Sequence, residues 1–135
     1  MTNEENIITN LLDRYEAFKL KWLQLNEDDM FNFLKLQDEM EDKVVELRSS
    51  YANDELVFDR DYWLRLVELK AIKDSEWKKK YTDSTAKAIC DNEFFEKELD
   101  LIVKKATYEN LQNKAKKIVD YINIVKLALR KDFTI

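Results

Sequence analysis

Glycine and proline are both absent from this chain of 135 residues, where average usage supplies roughly nine or ten glycines and about seven prolines. Glycine provides positive φ angles and close backbone approach, and proline provides rigid turns. Their joint absence excludes glycine-rich phosphate loops, tight hairpins and glycine-capped helix ends. Histidine is missing too, which removes Ser-His-Asp and Cys-His catalysis and every histidine-containing metal site. Cys90 is the only cysteine, so neither an intramolecular disulfide nor a thiolate cage can form. It reads as a small apolar residue in a reducing cytoplasm. No apolar run approaches the roughly 20 residues of a membrane span. The first twenty positions are acidic and amphipathic rather than basic then apolar, so the sequence predicts a soluble cytoplasmic protein with no signal peptide and no membrane partner.

What is present is a helix-forming composition with a real core. Apolar residues make up 45% and charged residues 38%, with three Trp, six Tyr and seven Phe, a balance that argues against disorder. The period-two alternation of strands is lacking, and the expected fold class is all-α, with four or five helices in one domain spanning 1–135. The net charge of −5 is unevenly spread. Residues 1–61 carry 16 acidic and 7 basic side chains, net −9, whereas residues 62–135 carry 12 acidic and 16 basic, net +4. Such polarity suits a basic surface for a polyanion and an acidic surface for something else, a second copy included, or one half packing on the other.

Along the chain, Thr2 and Glu5 form a capping box ahead of an apolar stripe of Ile8, Leu11, Leu12, Tyr15, Phe18, Trp22 and Leu25. Asn26 and the acids Glu27, Asp28 and Asp29 suit the start of a second helix. That helix is expected to reach about Arg48 with Met30, Phe33, Met40, Val44, Leu47 and Tyr51 inward, and with Phe31, Leu34 and Leu36 widening the stripe near its start. The run Ser49-Ser50-Tyr51-Ala52-Asn53-Asp54 predicts a loop, closing an acidic helical hairpin over 1–53. A third helix is expected from about Asp54 to Tyr81, carrying Val57, Trp63, Leu66, Val67, Ile72 and Trp77. The N-cap residues Thr82 to Thr85, and Asp91-Asn92 after them, predict a short helix between two bends, so that 54–90 forms a second segment. A long amphipathic helix follows over 91–131.

At about 60 Å that last helix exceeds the roughly 35–40 Å diameter of a compact domain of this size. Phe94, Leu101, Tyr108, Ala115, Ile122 and Leu129 recur every seven residues, joined by Leu111, Ile118 and Val125. The seam is convincing over Tyr108, Leu111, Ala115, Ile118, Ile122, Val125 and Leu129. It fits packing on the other helices of the same chain, or a coiled-coil seam that also joins subunits. The expectation is a helical bundle that forms a homo-oligomer.

Two clusters bear on chemistry. Glu39, Glu41, Asp42 and Glu46, with Glu68 as a candidate opposite them, have the residue types that hold Mg²⁺ in helical hydrolases. Acid pairs at this spacing equally make a solvated helix face. No second acidic element matches the first, so the sequence calls for no enzyme, no metal and no cofactor. The basic cluster carries more. Lys73, Trp77, Lys78, Lys79, Lys80, Tyr81 and Lys87 interleave aromatics with ammonium groups near a predicted helix end. Lysines there neutralise phosphates and an exposed ring stacks on unpaired bases, which is how single strands are held without sequence readout. The competing reading is ordinary i,i+4 pairing, through Asp74–Lys78, Glu76–Lys80, Glu93–Lys97 and Asp100–Lys104.

From about Trp77 onward the Lys-rich helix end, the polar bend Tyr81-Thr82-Asp83-Ser84-Thr85-Ala86-Lys87-Ala88, Asp91 and the long helix resemble the recombination mediators of T-even-type phages and related small phage proteins. The resemblance covers about 50 residues as a pattern of residue classes. Where the mediator has an Arg-Gly-Phe-type C-terminal segment, this chain ends Leu129-Arg130-Lys131-Asp132-Phe133-Thr134-Ile135. The resemblance implies a helical oligomer in the host cytoplasm that binds single-stranded DNA and helps load a recombinase onto strands coated by single-strand-binding protein. Lys78, Lys79, Lys80 and Lys87 are then the DNA contacts. The rival expectation is an acidic anti-defence decoy that occupies the basic surface of a nucleic-acid enzyme through residues 27–29, 38–42 and 54–61.

Overall fold

The computed structural model describes residues 2–133, with side chains as far as Leu129. The C-terminal run Leu129–Ile135 therefore lies largely outside the described side chains, and Thr134 and Ile135 lie outside the described residues. The chain is all-α, as expected. Helix α1 spans Asn3–Lys21 and passes through a 3-10 turn, Trp22–Gln24, before α2, Glu27–Ala71. Then come α3, Asp83–Glu93, and α4, Phe95–Phe133. No described helix is long and apolar enough to cross a membrane.

The helix starts follow their sequence signals. The Glu5 N–H donates to Thr2 Oγ1 and the Thr2 N–H donates to Glu5 Oε2, each at 3.1 Å, a complete capping box. Asn26 repeats the device on α2, accepting from the Asp29 N–H at 2.8 Å. Thr82 accepts from the Thr85 N–H at 3.1 Å to start α3. In each case a short side chain satisfies an amide that has no carbonyl partner within the first helical turn.

Three expectations are overturned. The predicted loop at 49–54 is helical, and α2 runs through it without interruption for 45 residues. Side chains of the Ser, Asn and Asp kind favour loops by hydrogen-bonding their own backbone, but here they are used elsewhere. Ser50 Oγ and Asp54 Oδ2 both accept from Lys104 Nζ, at 2.8 and 2.6 Å, while Tyr51 Oη donates to Glu55. With those side chains occupied and no Gly or Pro present, each Ser, Asn or Asp costs a helix only about 0.5–0.7 kcal/mol. The boundary between the 1–53 and 54–90 segments therefore falls inside one helix. Conversely, the predicted helix from 54 to 81 ends ten residues early, at Ala71. The last helix begins at Phe95 rather than Asp91 and continues to Phe133.

The chain divides into two compact units, one formed by residues up to Glu46 with those from Thr107 onward, the other by Leu47–Ala106. In the first unit, α1, the start of α2 and the second half of α4 pack around Phe18, which is fully buried. Its ring lies 5.0 Å from Phe33 and 6.1 Å from Tyr121, and Trp22 stacks on Tyr121 at 4.8 Å. Leu11, Tyr15, Leu36 and Met40 complete the apolar layer. The predicted stripe of α1 and that of α2 as far as Val44 face this core, except that Phe31 is exposed. Arg14 pairs with Glu39 and the buried Lys43 with Glu4 and Glu46 at its margin.

In the second unit the core is Leu69, Ala86 and Cys90, with Tyr62, Leu66, Ile72, Tyr81 and Ile89 packed against it. Phe94 is the single residue joining α3 to α4, and its ring meets Phe58 and Tyr62 edge-on, both at 5.7 Å. A packed aromatic thus anchors a bend at which many chains would use glycine.

Candidate nucleic-acid interface

Between Ala71 and α3 the chain makes a compact turn. Ile72 points into the Leu69–Ala86–Cys90 core, and the Lys80 N–H donates to the Ile72 carbonyl at 3.0 Å, so both ends of the segment are tied to the same place. Lys73 and Lys79 form an isolated antiparallel bridge. Within it, the Asp74 N–H donates to the Lys78 carbonyl and the Trp77 N–H to the Asp74 carbonyl, at 2.8 and 3.0 Å. The Asp74 carboxylate accepts from the amides of Glu76 and Lys78, both at 2.9 Å. An Asx side chain thereby supplies the turn that glycine or proline usually provides. The acid–base spacings Asp74–Lys78 and Glu76–Lys80 are not helical pairs: Asp74 binds backbone, and Glu76 lies 3.6 Å from Lys78.

Trp77 sits at the tip with φ at 64°, the one described residue in the left-handed region, and it is 84% exposed. Left-handed geometry costs a non-glycine residue roughly 1–2 kcal/mol, and a bulky side chain there is a genuine outlier. An exposed indole recovers little of that cost through burial. The turn therefore holds a strained residue whose ring stands in solvent, the pattern that marks presentation of a side chain to something else.

The lysines around it differ in availability. Lys79 Nζ donates to Asp83 Oδ1 at 2.7 Å, and Lys70 approaches the same oxygen at 4.0 Å. The Lys79 hydrogen bond, with its charge, holds the Asp83 carboxyl below its ordinary range. Lys80 Nζ lies 5.5 Å from the Tyr81 ring centroid. Lys73 and Lys87 have no carboxylate within 4.0 Å among the described residues, and Lys78 has only the exposed Glu76. Lys87 follows Asp83 by one turn on the same face of α3. Residues 70–87 carry six lysines against Asp74, Glu76 and Asp83, a local excess of positive charge in an acidic protein. Tyr81 does not stand free beside Trp77, because its ring is partly buried on the core of the unit.

Sequence reasoning missed the clamp that holds this region. Arg65 forks onto Glu93, Nε to Oε2 at 2.8 Å and Nη2 to Oε1 at 3.0 Å, and also binds Glu68 at 2.6 Å. Tyr62 Oη donates to Asp91 Oδ1 at 2.6 Å. That bond, with a smaller contribution from burial, pushes the Tyr62 phenol up to about 12. The Arg65 fork lowers the Glu93 carboxyl. These side chains are 28 or 29 residues apart, so no local pattern joins them. Glu93 therefore serves Arg65 rather than Lys97, which lies over the Phe94 ring, and Lys104 serves Asp54 rather than Asp100.

The other candidates fall elsewhere. Of the predicted seam, Tyr108, Leu111, Ala115, Ile118 and Ile122 are buried in the first unit, Val125 is half-buried and Leu129 is exposed. The stripe is satisfied within the chain, and a charge at Ile118 or Ile122 would strike its core. Glu39, Glu46 and Glu68 are each taken up by a cation. Among the described residues no group of three or more acidic or cysteine side chains could hold a metal ion. No family model matches the chain, and no curated protein or solved structure matches it either.

Proposed function

We propose that the Trp77 turn binds single-stranded nucleic acid and that the protein is a non-catalytic accessory factor in recombination or replication. The observation that carries this reading is the strained, solvent-facing Trp77 within a cluster of lysines. Base–aromatic stacking is worth about 1–3 kcal/mol per base and needs an open ring face. Lys73, Lys78, Lys80 and Lys87 supply phosphate neutralisation beside it. In the mediator-type role suggested by the resemblance from Trp77 onward, a recombinase or a single-strand-binding protein is the further partner.

The test is binding of a labelled oligonucleotide across a salt titration. Each phosphate contact contributes a slope of about 0.7 in log affinity against log salt for a single strand. Lys73→Ala or Lys87→Ala should lower the slope by about that amount. Lys79→Ala should change it less, since Lys79 is engaged by Asp83. Trp77→Ala should weaken binding with little change in slope. Absence of binding at low salt overturns this reading. The acidic decoy then becomes the better proposal, favoured by Asp38, Glu41 and Asp42, exposed on one stretch of α2 beside the inward Met40 and Val44. Charge reversal at those three positions would be its test, read as loss of binding to a basic nucleic-acid enzyme.

A further inference from the structure

The part of α2 in the second unit has two very different faces. Phe58, Tyr62 and Arg65 turn toward Phe94, Asp91 and Glu93, and Leu66 and Leu69 belong to the core. Opposite them, Leu56 is 71% exposed, Trp63 62% and Val67 44%, with the exposed Arg60 between. At 100° per residue these four positions fall within an arc of about 60°, over a length of about 16 Å. Scattered exposed apolar residues are normal, but an aligned stripe bordered by the half-exposed Val57 and Leu64 marks an interaction surface.

We infer that this stripe, Leu56, Arg60, Trp63 and Val67, pairs antiparallel with the same stripe of a second copy of the chain. The intervals along it are four, three and four residues, a spacing that reads identically from either end. A two-fold axis between residues 61 and 62 therefore sets Leu56 against the partner's Val67 and Arg60 against the partner's Trp63, twice over, as an isologous interface requires. The guanidinium over the indole is a favourable cation–π pair that strengthens as water leaves, and it gives the one charge on the stripe a partner. Among the described residues Arg60 pairs with its neighbour Asp61, at 3.1 Å on the surface, an interaction that costs little to redirect. Two helix faces of this length make a small interface, so association is concentration-dependent. This places self-association on α2 rather than on the buried seam of α4, and it does not depend on nucleic-acid binding.

Sedimentation and light scattering of the full chain, without nucleic acid, test it. The wild-type mass should rise with concentration toward twice 16.3 kDa. Trp63→Lys and, independently, Leu56→Lys should stay at the single-chain mass with unchanged helical circular dichroism. Ile124→Lys, a charge on an exposed apolar residue of α4, should leave the association intact. A wild-type protein that stays monomeric at millimolar concentration overturns the inference. So does a folded Trp63→Lys variant that still dimerises, or dissociation by Ile124→Lys.

Discussion

Exchanging Trp77 for glycine and, separately, for alanine should invert the usual order of stability. Within ordinary helix or strand, glycine is about 0.5–1 kcal/mol less stable than alanine because the unfolded chain gains freedom. At Trp77 the φ of 64° charges any residue with a Cβ roughly 1–2 kcal/mol, so alanine keeps the strain and glycine removes it. Both lose the same buried part of the indole. With 84% of the residue exposed, that part is about 25–40 Å² of a 150–250 Å² side chain, worth about 0.6–1 kcal/mol. The difference that survives favours glycine by about 0.5–1 kcal/mol, with glycine near the wild type and alanine about 1 kcal/mol below it. Urea unfolding followed by circular dichroism resolves this as a midpoint shift of about 0.5 M for a slope of 1–3 kcal/mol per molar. Oligonucleotide affinity should nonetheless fall in both variants by the stacking energy, about 1–3 kcal/mol. Stability and binding would then be decoupled at one residue. If alanine equals or exceeds glycine, the backbone is not strained there, and the argument that the turn exists to present the ring fails with it.

Two further outcomes follow from the clamp. Cys90 is fully buried and burial raises its thiol pKa, so labelling by a thiol reagent should be limited by opening of the second unit. Arg65→Met should speed that labelling several-fold while leaving the helical content nearly unchanged. The pH dependence is two-sided. Tyr62 has a folded pKa near 12, above its ordinary 10.0, so its hydrogen bond contributes fully below pH 10 and is lost as pH rises toward 12. Glu93, with its pKa lowered from 4.5, contributes above that pH and is lost in acid. Ultraviolet titration should show late phenolates from Tyr62 and from Tyr15, whose pKa burial also raises; Tyr62→Phe should remove the former, and stability should fall outside a plateau between about pH 4.5 and 10.

The fold class, the caps at Thr2, Asn26 and Thr82 and the inward stripes of α1, the first half of α2 and α4 were legible because each rests on spacing within a few residues, whereas Val57, Trp63 and Val67, expected on the stripe of the next helix, are exposed on the second half of α2. The continuity of α2 was not, because Ser50 and Asp54 resemble loop formers until Lys104, fifty residues on, is seen to engage them. The early end of α2 was hidden for the opposite reason. Asp74, Glu76, Lys78 and Lys80 mimic helical ion pairs, and only the amides bound by Asp74 reveal a turn. The lysine cluster could be read from the sequence, and so could Trp77 beside it. The left-handed backbone that exposes the indole, the burial of Tyr81 and the commitment of Lys79 to Asp83 are tertiary facts. The clamp of Arg65 and Tyr62 left no local trace.

The composition of the two units bears on how a ribosome delivers this protein. Leu47–Ala106 is one contiguous stretch, so its helices have all their partners as soon as it has emerged. The other unit is assembled from both ends of the chain. Leu11, Phe18 and Met40 are made well before Leu111, Ile118 and Ile122, the buried residues of the same unit. During translation the amino-terminal helices must wait with an uncovered apolar face, the state in which nascent chains are drawn to chaperones or to each other. Vectorial synthesis thus reverses the usual amino-terminal-first order, and a message truncated before codon 107 would yield one finished unit tethered to an unfinished one.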